Sequence, residues 1–208
     1  MIRLLKLLPL SGIIGVIFYF LHIFFGSLFY ADYNPLTQAI SDLTAINSPS
    51  RNIAMPFSVL YGIFSIVFST SFLIYLKGKI NKLITLGAYF FCSMTIISFF
   101  GYTFFPLSEA GYAGTFQDKI HMIVTVLVVL FTITFIVLFS FGFFRTANYK
   151  CLGIISIITF ILLLSGAMLI NLLPAGYFGL IQRINAYSTV LYTGILSYWM
   201  YKNAKQWV

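Results

Sequence analysis

The sequence predicts an all-α membrane bundle of six transmembrane helices, arranged as three hairpins with both termini on the cytoplasmic side. Three observations predict it. Hydrophobic residues make up 61% of the 208-residue chain and charged residues 8%, where soluble domains carry about 25% charged residues. Six uncharged stretches each approach or exceed the roughly 20 apolar residues that a helix needs to cross a bilayer core of about 30 Å. These stretches are continuously apolar rather than alternating, which excludes a β-barrel. The cations also segregate. Arg3, Lys6, Lys77, Lys79, Lys82, Arg145, Lys150, Lys202 and Lys205 fall on one side, nine of the twelve Lys and Arg. Arg51, Lys119 and Arg183 fall on the other with all four acids, Asp32, Asp42, Glu109 and Asp118. The positive-inside rule makes the first side cytoplasmic.

Taken in order, the helices are expected at about 9–31, 52–76, 83–105, 120–144, 151–173 and 184–201, in a single integral membrane domain over residues 1–208. The first is read as a span rather than a cleaved leader. Its run exceeds the roughly 7–15 residues of a signal h-region, and SLFYADY offers no small-x-small cleavage site. The outer loop 32–51 is the longest polar segment. In TQAISDLTAINSPSRN, Gln38 and Asp42 stand four apart and Ile40, Leu43 and Ile46 form an apolar stripe. A short helix lying in the outer interface, or folded back over the bundle, is expected there. Pro35, Pro49, Pro106 and Pro174 break helices at the outer loops, and Gly111, Gly114, Gly176 and Gly179 are expected to supply backbone freedom. Tyr30, Tyr33, Tyr112, Tyr177 and Phe178 suit an interfacial aromatic belt. On the inner side KGKINK and RTANYK are short basic connections. Cys92 and Cys151 should differ in depth by about 13 Å, too far for a disulfide.

The second and third hairpins echo one another. AGYAGTFQDKIH at 110–121 parallels AGYFGLIQRIN at 175–185, and NKLITLG at 81–87 parallels NYKCLG at 148–153. Two matched anchors at nearly equal spacing imply a repeated helical hairpin. The first hairpin fits loosely, with NPLTQ where the second has FPLSE, so the three hairpins would ring a pseudo-threefold axis.

The runs YFLHIFFGSLFYADYNPLTQAISDLTAINSPSRNIA (19–54), GYTFFPLSEAGYAGTFQDKIHM (101–122) and YFGLIQRINAYSTVLYTGIL (177–196) resemble the bacterial membrane family filed as domain of unknown function 998. The similarity covers nearly the whole chain and is most specific in ISDLTA and SEAGYAGTFQDKIH. It implies a six-helix integral protein of the bacterial inner membrane, and lends no activity. Ala31-Asp32 departs from the Pro-Gly expected before the tyrosine.

Candidate chemistry gathers at the outer end. Asp118 and His121 lie three apart and share a helix face with Gln117. As an Asp–His couple they suit metal binding or acid–base work. As the start of a helix they suit capping, with the Asp118 carboxylate on free N–H groups at the positive end of the dipole. His22 lies about 12 Å inside Tyr30, near the midplane, where an ionisable group faces the bundle interior. A haem held by His22 and His121 is disfavoured, because the two should differ in depth by about 8 Å. Ser41-Asp42 with His121 would suggest hydrolysis, yet no GxSxG motif surrounds Ser41. Metal ligation would have to come from His22, Asp42, Asp118 and His121, a thin set, so no cofactor is expected.

Arg51, Lys119 and Arg183 each open an even-numbered helix at the outer side, against both the charge bias and the helix dipole. Either carboxylates pair with them in a lid, or they hold an anionic headgroup at helix N-termini. The function expected is binding or transport of a lipid or small amphiphile, an anionic one included, through an outward-facing polar pocket. Arg51, Lys119, Arg183, Glu109 and His22 would be its contacts. A metal-dependent hydrolase or transferase using Asp42, Asp118, His121 and Ser41 is the alternative, and a structural or partner-binding subunit the third. A nucleic-acid partner is excluded for want of a soluble basic face.

Overall fold

The computed structural model describes residues 7–172 and 174–203, so Arg3, Lys6 and Lys205 lie outside it. Its six long helices are α1 (Ser11–Leu28), α2 (Arg51–Leu76), α3 (Lys82–Phe104), α4 (Phe116–Phe144), α5 (Lys150–Leu172) and α6 (Phe178–Lys202), with short 3-10 turns at Leu8–Leu10, Ile40–Thr44, Ala147–Tyr149 and Ala175–Tyr177. Among the described residues, five segments are long and apolar enough to cross a membrane, corresponding to α1 to α5. The sixth helix is long enough but more polar, with Gln182, Arg183 and Asn185 in its first turns.

Each helix packs mainly on the one before it and the one after it, and α1 packs on α6, so three consecutive hairpins close into a ring. Apolar side chains gain little from leaving lipid, so helices in a membrane associate through close packing at small residues. Between α3 and α4 this happens at three levels. A Cβ on Gly87 would come within 2.6 Å of the Phe139 ring, one on Gly101 within 2.5 Å of Val124, and one on Gly142 within 2.6 Å of Ile84. Asn81 fastens the same pair at its basic end. Its Oδ1 accepts from the N–H groups of Leu83 and Ile84, both at 3.1 Å, capping α3. Its Nδ2 donates to the Gly142 carbonyl at 2.6 Å and to Thr146 Oγ1 at 2.9 Å, where α4 ends.

The ring closes through a hydroxyl. Ser197, near the C-terminal end of α6, donates to the Pro9 carbonyl and accepts from the Ile13 N–H at 3.0 Å. The first turn of a helix has no partner of its own for such N–H groups, so α6 supplies what α1 lacks.

The half of the bundle nearer the basic loops is filled by aromatic rings. Phe68, Phe72, Phe91, Phe135 and Phe139 retain no accessible surface, with Phe91 4.9 Å from Phe135 and Phe72 5.5 Å from Phe139. The polar tip of Tyr192 beside them is satisfied by Ser156 at 2.6 Å. The other half is capped by the loop between α1 and α2.

Candidate functional site

Residues 32–50 fold back over one end of the ring as a lid, and the bonds that hold them identify which polar residues matter. The segment from 40 to 44 is a 3-10 turn rather than an α-helix, with Ile40, Asp42 and Leu43 buried. Three seams fix it. Against α2, Arg51 donates to the Thr44 carbonyl at 2.6 Å and Ser50 to the Leu43 carbonyl at 2.9 Å. Against the α3–α4 loop, the Ile46 and Asn47 N–H groups donate to the Leu107 and Ser108 carbonyls at 2.8 and 3.3 Å.

The third seam, against α6, is the densest. Buried Arg183 donates from Nη1 to the carbonyls of Pro35 at 2.7 Å and Gln38 at 2.9 Å, and to Gly179 of its own helix at 2.9 Å. Its Nη2 donates to the Tyr33 hydroxyl, which in turn donates to the Ala39 carbonyl at 2.8 Å. Gln182 Oε1 accepts from the Ile40 N–H at 2.7 Å, and the Leu180 N–H reaches the Leu36 carbonyl at 3.1 Å. Gly179 allows this approach, because a Cβ there would lie 2.3 Å from the Gln38 carbonyl oxygen.

Asp42 ties the lid to itself and to the α3–α4 loop. It accepts from the Ala39 N–H at 3.0 Å and from the Gly111 N–H at 3.2 Å. Burial pushes its carboxyl above the ordinary value, while those two N–H groups and the Arg183 charge pull the other way. Burial likewise raises the Tyr33 phenol to about 12 against the opposing pull of Arg183. Gly111 can serve Asp42 because residues 111, 112 and 114 turn through left-handed φ values of 81°, 72° and 80°.

The cap expected of Asp118 is present. Its carboxylate accepts from the Thr115 N–H at 3.1 Å, while Thr115 Oγ1 accepts from the Asp118 N–H at 3.2 Å, a reciprocal capping box. This cap starts α4 at Phe116, ahead of the continuous apolar run. Ser108 donates to the same carboxylate from its N–H at 2.7 Å and from its hydroxyl at 2.8 and 2.9 Å. His121, one turn further in, is buried, and its Nδ1 lies 2.8 Å from the Phe105 carbonyl. A carbonyl can only accept, so Nδ1 carries the proton and Nε2 presents the lone pair.

Beneath the lid lies a layer of rings drawn from five helices. Tyr19 of α1 stands 4.9 Å from Tyr61 of α2 and 6.3 Å from Tyr187 of α6. Tyr102 of α3 donates to Thr125 Oγ1 at 3.2 Å and packs 4.9 Å from the His121 ring of α4. His22 shares the inward stripe of α1 with Tyr19, 6.2 Å from it ring to ring. His22 Nε2 is buried without a hydrogen-bond partner.

The residues singled out from sequence therefore take different places. Arg183 and His121 each come within electrostatic reach of Asp42. Glu109 and Lys119 are exposed at the lid end, and Ser41 is half-buried with its carbonyl accepting from Thr44. Arg51 and Arg183, expected as anion contacts, spend hydrogen bonds on lid carbonyls instead. Among the described residues no three His, Cys, Asp or Glu side chains gather into a metal-binding group. The echo between 110–121 and 175–185 does not extend to its glycines. Gly111 and Gly114 have positive φ, whereas Gly176 does not and Gly179 serves close approach.

Sequence reasoning missed Tyr33, Gln182 and Gly179 as lid anchors, and the layer of Tyr19, Tyr61, Tyr102 and Tyr187. The signal for the layer was tyrosine inside apolar runs, away from the interface where its hydroxyl would be wet. Gly179 four residues before Arg183 on one helix face was the signal for the anchor.

No curated protein and no solved structure matches the chain. A family model matches residues 13–199, which include the lid, its anchors and the layer of rings. By that match the chain belongs to the family described as protein of unknown function DUF998.

Proposed function

We propose that this chain is a multi-pass protein of the bacterial inner membrane that binds or moves a lipid or small amphiphile through a polar chamber on its outer face. All six helices span, and both termini are cytoplasmic. The nine-to-three segregation of Lys and Arg supports that orientation. It puts the lid at the outer leaflet. The observation that carries the reading is the orphaned His22 Nε2 beneath a lid latched by Arg183. A buried polar atom without a partner costs about 1–3 kcal/mol, and a site that receives a polar ligand explains why one is kept. The layer of tyrosines around it offers an apolar body with polar tips, which suits a molecule of the same mixed character.

Native mass spectrometry of protein extracted with its surrounding lipids tests the reading. Wild type should retain an amphiphile through detergent exchange, and Arg183→Ala, which unlatches the lid, should lose it. A wild-type protein that emerges bare, and gains no thermal stability from any added lipid, would overturn the proposal.

A further inference from the structure

We infer that the chamber selects an uncharged, hydroxyl-bearing headgroup, and that His22 is its polar anchor. The inference rests on the amphiphile reading above and names the headgroup class that reading leaves open. Three sets of groups decide it.

The first is the cations. Arg183 gives Nη1 to three carbonyls and Nη2 to Tyr33, and its charge is further balanced by Asp42. Arg51 reaches the Thr44 carbonyl of the lid. Lys119 is exposed at the surface. A phosphate or carboxylate drawn under the lid would find both terminal nitrogens of Arg183 committed and one of Arg51 turned to the lid, and would lie near the Asp42 carboxyl. A charge moved into such a site without a counter-charge costs several kcal/mol or more.

The second is the imidazoles. His22 is 5% exposed, lies on the inward stripe of α1, and has one unpartnered nitrogen. His121 has its Nδ1 proton committed to Phe105, which leaves Nε2 as an acceptor. A hydroxyl can pair with an imidazole nitrogen whether that nitrogen carries the proton or the lone pair, whereas a doubly ionised phosphate can only accept.

The third is the rings. Tyr61, Tyr187 and His22 each pack edge to face against Tyr19. Phenol hydroxyls both donate and accept, so they suit a glycerol- or sugar-like head, and ring faces suit the hydrocarbon just below it.

Binding of two probes with one tail decides the matter: 1-monolauroylglycerol and dodecyl phosphate, titrated against the full chain in lipid-free nanodiscs or peptidiscs. The glycerol probe should bind at least about tenfold more tightly, the worth of one satisfied hydrogen bond. His22→Phe keeps the ring volume and should weaken the glycerol probe about tenfold while leaving dodecyl phosphate unchanged. His22→Gln, which restores a donor and an acceptor, should recover part of that loss. Equal or tighter binding of dodecyl phosphate to wild type would overturn the headgroup assignment and leave the amphiphile reading standing. Wild-type affinity in His22→Phe would overturn the role of His22. Absence of binding by both probes would overturn this inference, and the lipid-retention measurement on extracted protein then decides separately whether the amphiphile reading survives.

Discussion

Arg183 holds two lid carbonyls, one carbonyl of its own helix and a phenol with the two terminal nitrogens of one planar group. An ammonium carries a similar charge on a flexible stem but cannot present donors in that fixed fork. Arg183→Lys should therefore behave as a loss rather than a conservative change. We expect a destabilisation of about 3 kcal/mol, as buried charge-assisted bonds are broken, read as a lower melting temperature in detergent. Faster tryptic cleavage after Arg51, which the closed lid half-covers, should accompany it. Asp42 yields a prediction in pH. Its folded-state value is raised by burial, so the folded protein holds this proton more tightly than the unfolded chain. The associated stability is fully present below the unfolded value of about 3.9 and is lost as pH rises through the folded one. Asp42→Asn cannot titrate. Melting temperatures of both proteins across mildly acidic to neutral pH should show wild type losing ground to the variant as pH rises.

At the scale of elements, α4 and α6 show how a helix start can be written in two ways. The start of α4 is local: Thr115 and Asp118 cap each other within four residues, so the capping role of Asp118 was legible in the sequence. Thr115→Ala should cost about 1 kcal/mol, measured by thermal denaturation in detergent, with the lid still closed. The start of α6 is non-local. Gly179, Gln182 and Arg183 are fixed by Pro35, Gln38 and Ile40, about 140 residues away in sequence. No short-range pattern reveals which loop a helix N-terminus will meet, and so the sequence points Arg183 to a carboxylate or an anion rather than to lid carbonyls. Gly179→Ala pushes a methyl into the Gln38 carbonyl. It should cost about 1–3 kcal/mol and open the lid to protease in the same way as Arg183→Lys. The count of long helices was legible because continuous apolar length is a one-dimensional property. The 3-10 form of residues 40–44 was not, because it depends on the seams that grip the lid from three sides.

The whole molecule is a ring, and its orientation and closure can each be tested. Cys151 is exposed at the basic end and Cys92 half-buried within α3. In intact cells, a membrane-impermeant thiol reagent should leave Cys151 unlabelled, while Lys119→Cys should label readily. The reverse pattern would invert the proposed topology. Ring closure depends on α6 lending a hydroxyl to the start of α1. Ser197→Ala leaves the Ile13 N–H without that partner and should lower stability by about 1–2 kcal/mol, again read by melting in detergent.

The five phenyl rings packed into the basic half have a bearing on traffic. Contributed by α2, α3 and α4, all five are fully buried and form a packed floor to that side of the ring. A guest of the kind proposed would meet those rings on any straight path to the basic end, and would leave by the rim or sideways through the wall. On its outward surface the α1–α6 seam carries a shallow apolar groove walled by Ile13, Ile17, Leu191 and Ile195. A molecule built this way suits lodging or presenting a guest within one leaflet better than conducting it across two.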